Sequence, residues 1–205
     1  MNRLVGSTLL ICLHLVAGAA AVADDATLPT LERVTVVAAP KMIADFSLTD
    51  QNGKARTLAS FRGAPTLVFF GFTHCPDVCP TALTKLKLLQ GSNGGALKRV
   101  QVVMISVDGE RDTPAVLKRY MSSISPAFIG LTGQPRAVSD IAARFAAVAY
   151  KEQADNQGNY GYFHSGQVFA LDKSGQLRAS FFDASVENMA TISRLLLDET
   201  SGAEN

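Results

Sequence analysis

Side chains that carry chemistry are scarce in this sequence. Its 205 residues include 3 cysteines and 3 histidines, and charged residues make up 18 % against 47 % apolar ones. That balance excludes a disordered chain and leaves a compact fold with a sizeable core. The net charge is only +1, and no basic cluster is interleaved with aromatics, which excludes nucleic acid as a partner. The glycine cluster Gly91-Ser92-Asn93-Gly94-Gly95 is not followed by a Lys-Ser/Thr pair, so it is a connecting loop and not a phosphate cradle. No internal repeat and no second domain are visible.

Charge is also missing from the start of the chain, where Arg3 is the sole charged residue among positions 1–23. Arg3 supplies a positive n-region, and Leu4 to Val16 is an apolar run broken only by Gly6, Ser7, Thr8 and His14. Small residues follow from Ala17, and Ala21-x-Ala23 before Asp24 is the expected cleavage point of a signal peptide. The alternative is an uncleaved anchor, since Leu4 to Ala23 is about long enough to span a bilayer. Either reading sends the body of the protein out of the cytoplasm to the periplasm, with membrane contact only through this segment. Cys12 lies in the apolar run, behind Ile11, which is too bulky for a lipoprotein signal. The exported body then keeps only Cys75, Cys79, His74 and His164 from these two residue types.

Past a mixed lead-in, Phe46–Thr49 and Arg56–Leu58 flank an Asn52-Gly53 turn and read as a hairpin. Thr66–Phe72 is a near-continuous apolar run, the pattern of a strand covered on both faces. Thr81–Leu89 reads as a helix, and Val100–Val107 as a second buried strand. Asp112-Thr113-Pro114 opens the next helix with a polar cap and a first-turn proline. A short strand at Ala127–Leu131, a helix from Pro135 to Phe145 and a strand-like Ala147–Lys151 follow. A turn-rich stretch, Gln153–Gly161, leads to a hairpin of Gln167–Asp172 and Leu177–Phe182 and a final helix, Val186–Leu197. Strands alternating with helices and closing on an antiparallel pair make an α/β fold: a mixed β-sheet flanked by helices, with an N-terminal β-hairpin.

The string Gly71-Phe72-Thr73-His74-Cys75-Pro76-Asp77-Val78-Cys79-Pro80 sits where a buried strand hands over to a helix, the end of an α/β sheet where ligands bind. Pro80 disfavours helical dihedrals at Cys79, so a turn carrying Cys75 leads to Cys79, with Pro80 in the first turn of the helix. Both sulfurs then lie near a helix N-terminus, whose partial positive charge favours thiolate. A four-residue offset in a turn places the α-carbons roughly 6 Å apart, within disulfide range. Cys75 and Cys79 are thus candidates for a structural disulfide, a redox pair or a metal site. His164 stands just before an apolar strand in the same sheet. Two thiolates and an imidazole form a soft, three-ligand set suited to copper as Cu(I) or Cu(II), while structural zinc wants a fourth protein ligand.

Four strings in register resemble the Sco-type copper chaperones of cytochrome c oxidase assembly: GFTHCPDVCP (Gly71 to Pro80), ISVDGERDTPAVLKRY (Ile105 to Tyr120), FIGLTG (Phe128 to Gly133) and HSGQVFALDKSGQL (His164 to Leu177). The resemblance implies a thioredoxin-like domain at 45–199, after a flexible lead-in at 24–44 and before a tail at 200–205. It implies copper held by Cys75, Cys79 and His164, and either delivered to the binuclear copper site of the oxidase, on its copper-receiving subunit or another periplasmic copper protein, or used in reducing that site's thiols. It also implies a thiol reductant acting on the pair. Two positions depart from the pattern: Phe163 stands where the family commonly has an acidic residue, and Phe169-Ala170-Leu171 replaces a tyrosine-containing strand.

A metal-independent thiol–disulfide oxidoreductase is the competing function, with a disulfide-stapled binding module as the third. Dithiol reductases of this superfamily resemble one another in a C-x-x-C pair facing a cis-proline. This chain has C-x-x-x-C, and its last proline is Pro135. Among lesser candidates, His74 is a proton carrier or simply exposed, and Asp77 a turn former. Asp108, Arg111 and Asp112 are expected to cap the following helix and pair with each other. Tyr160 and Tyr162 line the site or cover the sheet end.

Overall fold

The computed structural model describes residues 31–199. In chain order its strands are β1 (Val34–Met42), β2 (Ser47–Asp50), β3 (Ala55–Thr57), β4 (Thr66–Gly71), β5 (Gln101–Ser106), β6 (Ile129–Thr132), β7 (Ala149–Lys151), β8 (Tyr162–His164), β9 (Gln167–Leu171) and β10 (Gln176–Phe182). The α-helices are α1 (Val78–Gly91), α2 (Pro114–Ile124), α3 (Pro135–Arg144) and α4 (Val186–Asp198).

All six residues of β4 are buried, as its unbroken apolar run requires. It occupies the middle of an eight-stranded sheet ordered β1-β10-β9-β4-β5-β6-β2-β3. β4, β5 and β6 run parallel, with Thr66 opposite Gln101 and Gly71 opposite Ser106. The flanking strands are antiparallel: β9, β10 and β1 on one side, the β2–β3 hairpin on the other. This is the mixed sheet, with helices and an N-terminal hairpin, expected from the sequence. The hairpin turn is held by Asp50, whose carboxylate accepts from the Asn52 and Lys54 amides, and Gly53 takes φ 79° there. Phe69 and Phe70, on opposite faces of β4, are both fully buried, and each such ring contributes about 2–3 kcal/mol of burial.

Two helices start on side-chain caps. The Thr113 hydroxyl accepts from the Val116 amide ahead of Pro114, and the Ser185 hydroxyl from the Asn188 amide. α1 has no such cap, since Asp77 makes no capping bond. α1 follows directly on the end of β4, so the parallel core of the sheet delivers the Cys75–Cys79 turn to the sheet's C-terminal edge.

Two expectations need correction. Part of the lead-in expected to be flexible is β1, which pairs with β10 from Val34 opposite Phe181 to Met42 opposite Gln176. Its side chains are mostly exposed and its register breaks between Val36 and Lys41, so no alternating pattern marks it. The open edge of β10 makes it a strand. His164 does stand just before β9, but as the last residue of β8, which pairs with β7 in a separate two-stranded sheet and not in the main one. The expected signal peptide or anchor at 1–23 and the tail at 200–205 lie outside the described residues. No helix among the described residues is long and apolar enough to cross a membrane.

Candidate metal centre

β4 ends in Gly71 because a side chain there has no room. A Cβ would meet the Cys79 sulfur at 2.9 Å and the Phe69 ring at 2.6 Å. The glycine lets Cys79, in the first turn of α1, pack fully buried against the strand end. The turn before it closes through the Cys75 amide, which donates to the Phe72 carbonyl at 3.3 Å. Cys75 Sγ in turn accepts from the Cys79 amide at 3.5 Å, so sulfur stands where a capping oxygen would. Both cysteines are free thiols, Cys79 buried and Cys75 half-buried.

His164 reaches the pair from β8, with Nε2 3.6 Å from Cys79 Sγ. Phe69 and Phe72 hold its ring edge-on, with centroids 5.9 and 5.8 Å away. Its Nδ1 lies 3.4 Å from the Ser165 carbonyl. That contact favours the Nδ1–H tautomer and leaves the Nε2 lone pair toward the sulfurs. Burial holds the imidazole below its ordinary pKa, with a smaller opposing effect from the Ser165 carbonyl, so the ring is neutral and fit to ligate. One ligand atom from each of Cys75, Cys79 and His164 lies within 4.8 Å of the others.

The thiolate expectation fails at Cys79. Burial pushes its thiol far above the ordinary value, outweighing the bond from the Phe72 backbone; the sulfur of Cys75 and the charge of Asp112 push the same way. The helix N-terminus cannot offset that desolvation. A cation placed between the sulfurs supplies the missing charge, so ionisation of Cys79 is coupled to metal binding.

The family model SCO1/SenC matches residues 35–196. The chain belongs to the SCO1/SenC family. A SCO2-like protein of Rickettsia prowazekii is 36 % identical over 143 residues, covering 69 % of this chain and 70 % of the relative. Bradyrhizobium japonicum ScoI, solved with copper bound, is 38 % identical, with TM-score 0.68, covering 76 % of this chain and 99 % of that one. The apo Sco1 protein of Thermus thermophilus is 36 % identical, with TM-score 0.70, covering 79 % and 95 %. The fold of this Sco chain is thioredoxin-like, as its resemblance implied.

Beside Cys75, a groove of about 930 Å³ opens between α1, β8 and the end of β10. Its walls include His74, Cys75, Val78, Tyr160, Phe163 and His164, so Tyr160 and His74 face the same space as Cys75 and His164. Tyr162 also lines it, its ring against Phe72. Phe163, in place of the family's acidic residue, is half exposed and stacks on Tyr150 at 5.1 Å. The Ser165 carbonyl, not a carboxylate, is therefore the group that orients His164 here.

Asp108 pairs with Arg111 as expected. Asp112 does not cap α2, a role taken by Thr113. Instead its fully buried carboxylate accepts from the Thr73 amide at 2.9 Å, the Thr73 hydroxyl at 2.6 Å and the Ser106 hydroxyl at 2.6 Å. It ties the end of β5 to the loop that carries Cys75. No local sequence signal joins Thr73 to Asp112, because the bond crosses between parallel strands' C-terminal loops. His74, Asp108 and Asp112 also converge, with one ligand atom from each within 4.8 Å of the others. Their carboxylates are spent on Arg111, Thr73 and Ser106.

Proposed function

We propose that this chain is a periplasmic copper-binding chaperone that takes up copper on Cys75, Cys79 and His164 and delivers it for assembly of the copper site of cytochrome c oxidase. The observation that carries this reading is the convergence of two sulfurs and a neutral imidazole at the end of the sheet. Thiolate sulfur selects soft Cu(I), and imidazole extends the set to Cu(II). The bound copper of the Bradyrhizobium relative supports the same choice of metal. As copper arrives, the Cys75 and Cys79 thiols give their protons to water, and a neutral His164 adds its lone pair. Delivery reverses these steps at the recipient.

The cysteine pair also supports redox chemistry. A disulfide between Cys75 and Cys79 removes both thiolates, so a thiol reductant must reopen it before copper binds. Deletion of this chain in its host should sharply lower cytochrome c oxidase activity, restored by the parent and not by a Cys75→Ala, Cys79→Ala variant. Full oxidase activity and copper content in the deletion strain would contradict delivery.

A further inference from the structure

His74 is exposed and stands beside the site, yet nothing above gives it a task. Its Nδ1 lies 3.1 Å from the Thr73 hydroxyl, which is itself 2.6 Å from Asp112 Oδ1. A threonine hydroxyl has one proton, and the short contact to the acceptor-only carboxylate takes it. Toward His74 the hydroxyl can then only accept, so the imidazole carries its proton on Nδ1. Nε2 is left as a bare lone pair, and among the described residues nothing pairs with it. A buried carboxylate acting through one hydroxyl thus holds an exposed histidine in the tautomer that leaves Nε2 free for a metal, the arrangement that orients metal-ligating histidines.

The three resident ligands differ in access. Cys79 is fully buried and does not line the groove, whereas Cys75 and His164 are both half-buried and do. Cys75 is more open than Cys79, and His74, with its side chain 53 % exposed, lies next to it in the chain and lines the same groove. An ion entering from the groove therefore meets His74 and Cys75 before it can reach Cys79.

We infer that His74 Nε2 is a transit ligand: with Cys75 it forms a two-coordinate Cu(I) station at the groove mouth, through which copper enters and leaves the Cys75–Cys79–His164 site. The inference rests on the copper-chaperone reading above. Copper remains Cu(I) throughout and no electron moves. The Cys75 thiol gives its proton to water as its sulfur binds, the His74 Nε2 lone pair completes the station, and exchange to Cys79 and His164 then frees His74.

The test is stopped-flow Cu(I) exchange between the reduced protein and bathocuproine disulfonate, in both directions, for the parent, His74→Ala and His74→Gln. A transit ligand speeds both directions equally. His74→Ala should slow capture and release by about tenfold each, while equilibrium Cu(I) affinity stays within about threefold of the parent. His74→Gln, which can still donate to Thr73 but ligates copper poorly, should be as slow as the alanine variant. Parent-like rates in His74→Ala overturn the inference, as do parent-like rates in His74→Gln, which would make His74 a hydrogen-bonding group only. A fall in equilibrium affinity beyond tenfold also overturns it, by making His74 a resident ligand. A parent that binds no Cu(I) would instead defeat the copper-chaperone reading itself.

Discussion

Replacing His164 with alanine should lower Cu(II) affinity by at least about a hundredfold, because losing a group that merely orients a metal ligand already costs about 10–100-fold. Cu(II) prefers nitrogen among its donors and tolerates a bare pair of thiolates poorly. Cu(I) should suffer less, since Cys75 and Cys79 can hold it alone. The same variant should still close and reopen the Cys75–Cys79 disulfide, because His164 supplies neither sulfur. Its apo stability should change little. His164 is only half-buried, and its hydrogen bonding is two long contacts, to the Ser165 carbonyl and the Cys79 sulfur. A histidine that serves only packing predicts the opposite: copper binding retained and melting temperature lowered. Copper titrations and thermal melts on one preparation separate the two.

The largest stability effect should come from Asp112. Its carboxylate is fully buried and accepts from the Thr73 amide, the Thr73 hydroxyl and the Ser106 hydroxyl. Asp112→Ala strands the buried Ser106 hydroxyl and the two part-buried Thr73 donors, each left unsatisfied at about 1–3 kcal/mol, for a total of roughly 3 kcal/mol. In a domain of this size that lowers the melting temperature by roughly 6–12 °C. Asp112→Asn keeps the shape but turns an amide N–H toward one of the donors, so its cost should fall between alanine and parent. Thermal and urea melts of the apo protein measure both. An alanine variant within about 0.5 kcal/mol of the parent would show that the network does not hold the Thr73–Cys75 loop.

The buried middle of the sheet was legible because β4 and β5 are covered on both faces, and continuous apolar runs such as Thr66–Gly71 have few other destinations. The cysteine pair was legible for a different reason: the strand-to-helix handover places a turn at Cys75 and puts Pro80 in the first turn of α1, although Cys79, which Pro80 was expected to keep out of the helix, is already helical. What escaped was non-local. β1 becomes a strand through the open edge of β10, and the three residues of β8 through β7, so neither carries a pattern of its own. The Asp112 network joins residues 39 apart along the chain, and a cap for α2 was the local alternative. The protonation of Cys79 escaped too, because the helix N-terminus is visible in the sequence and the depth of burial is not.

Copper binding depends on two reduced sulfurs, and metal analysis tests that directly. Protein residues 24–205 should be exposed to Cu(I) after reduction, after oxidation of the pair, and as the Cys75→Ala, Cys79→Ala variant, then desalted and measured for copper and protein. The expected result is about one copper per chain in the reduced parent and almost none in the other two samples, since the thiolate is the ligand and a disulfide is not. Equal copper in the oxidised and reduced parent, or copper retained by the double variant, would contradict it.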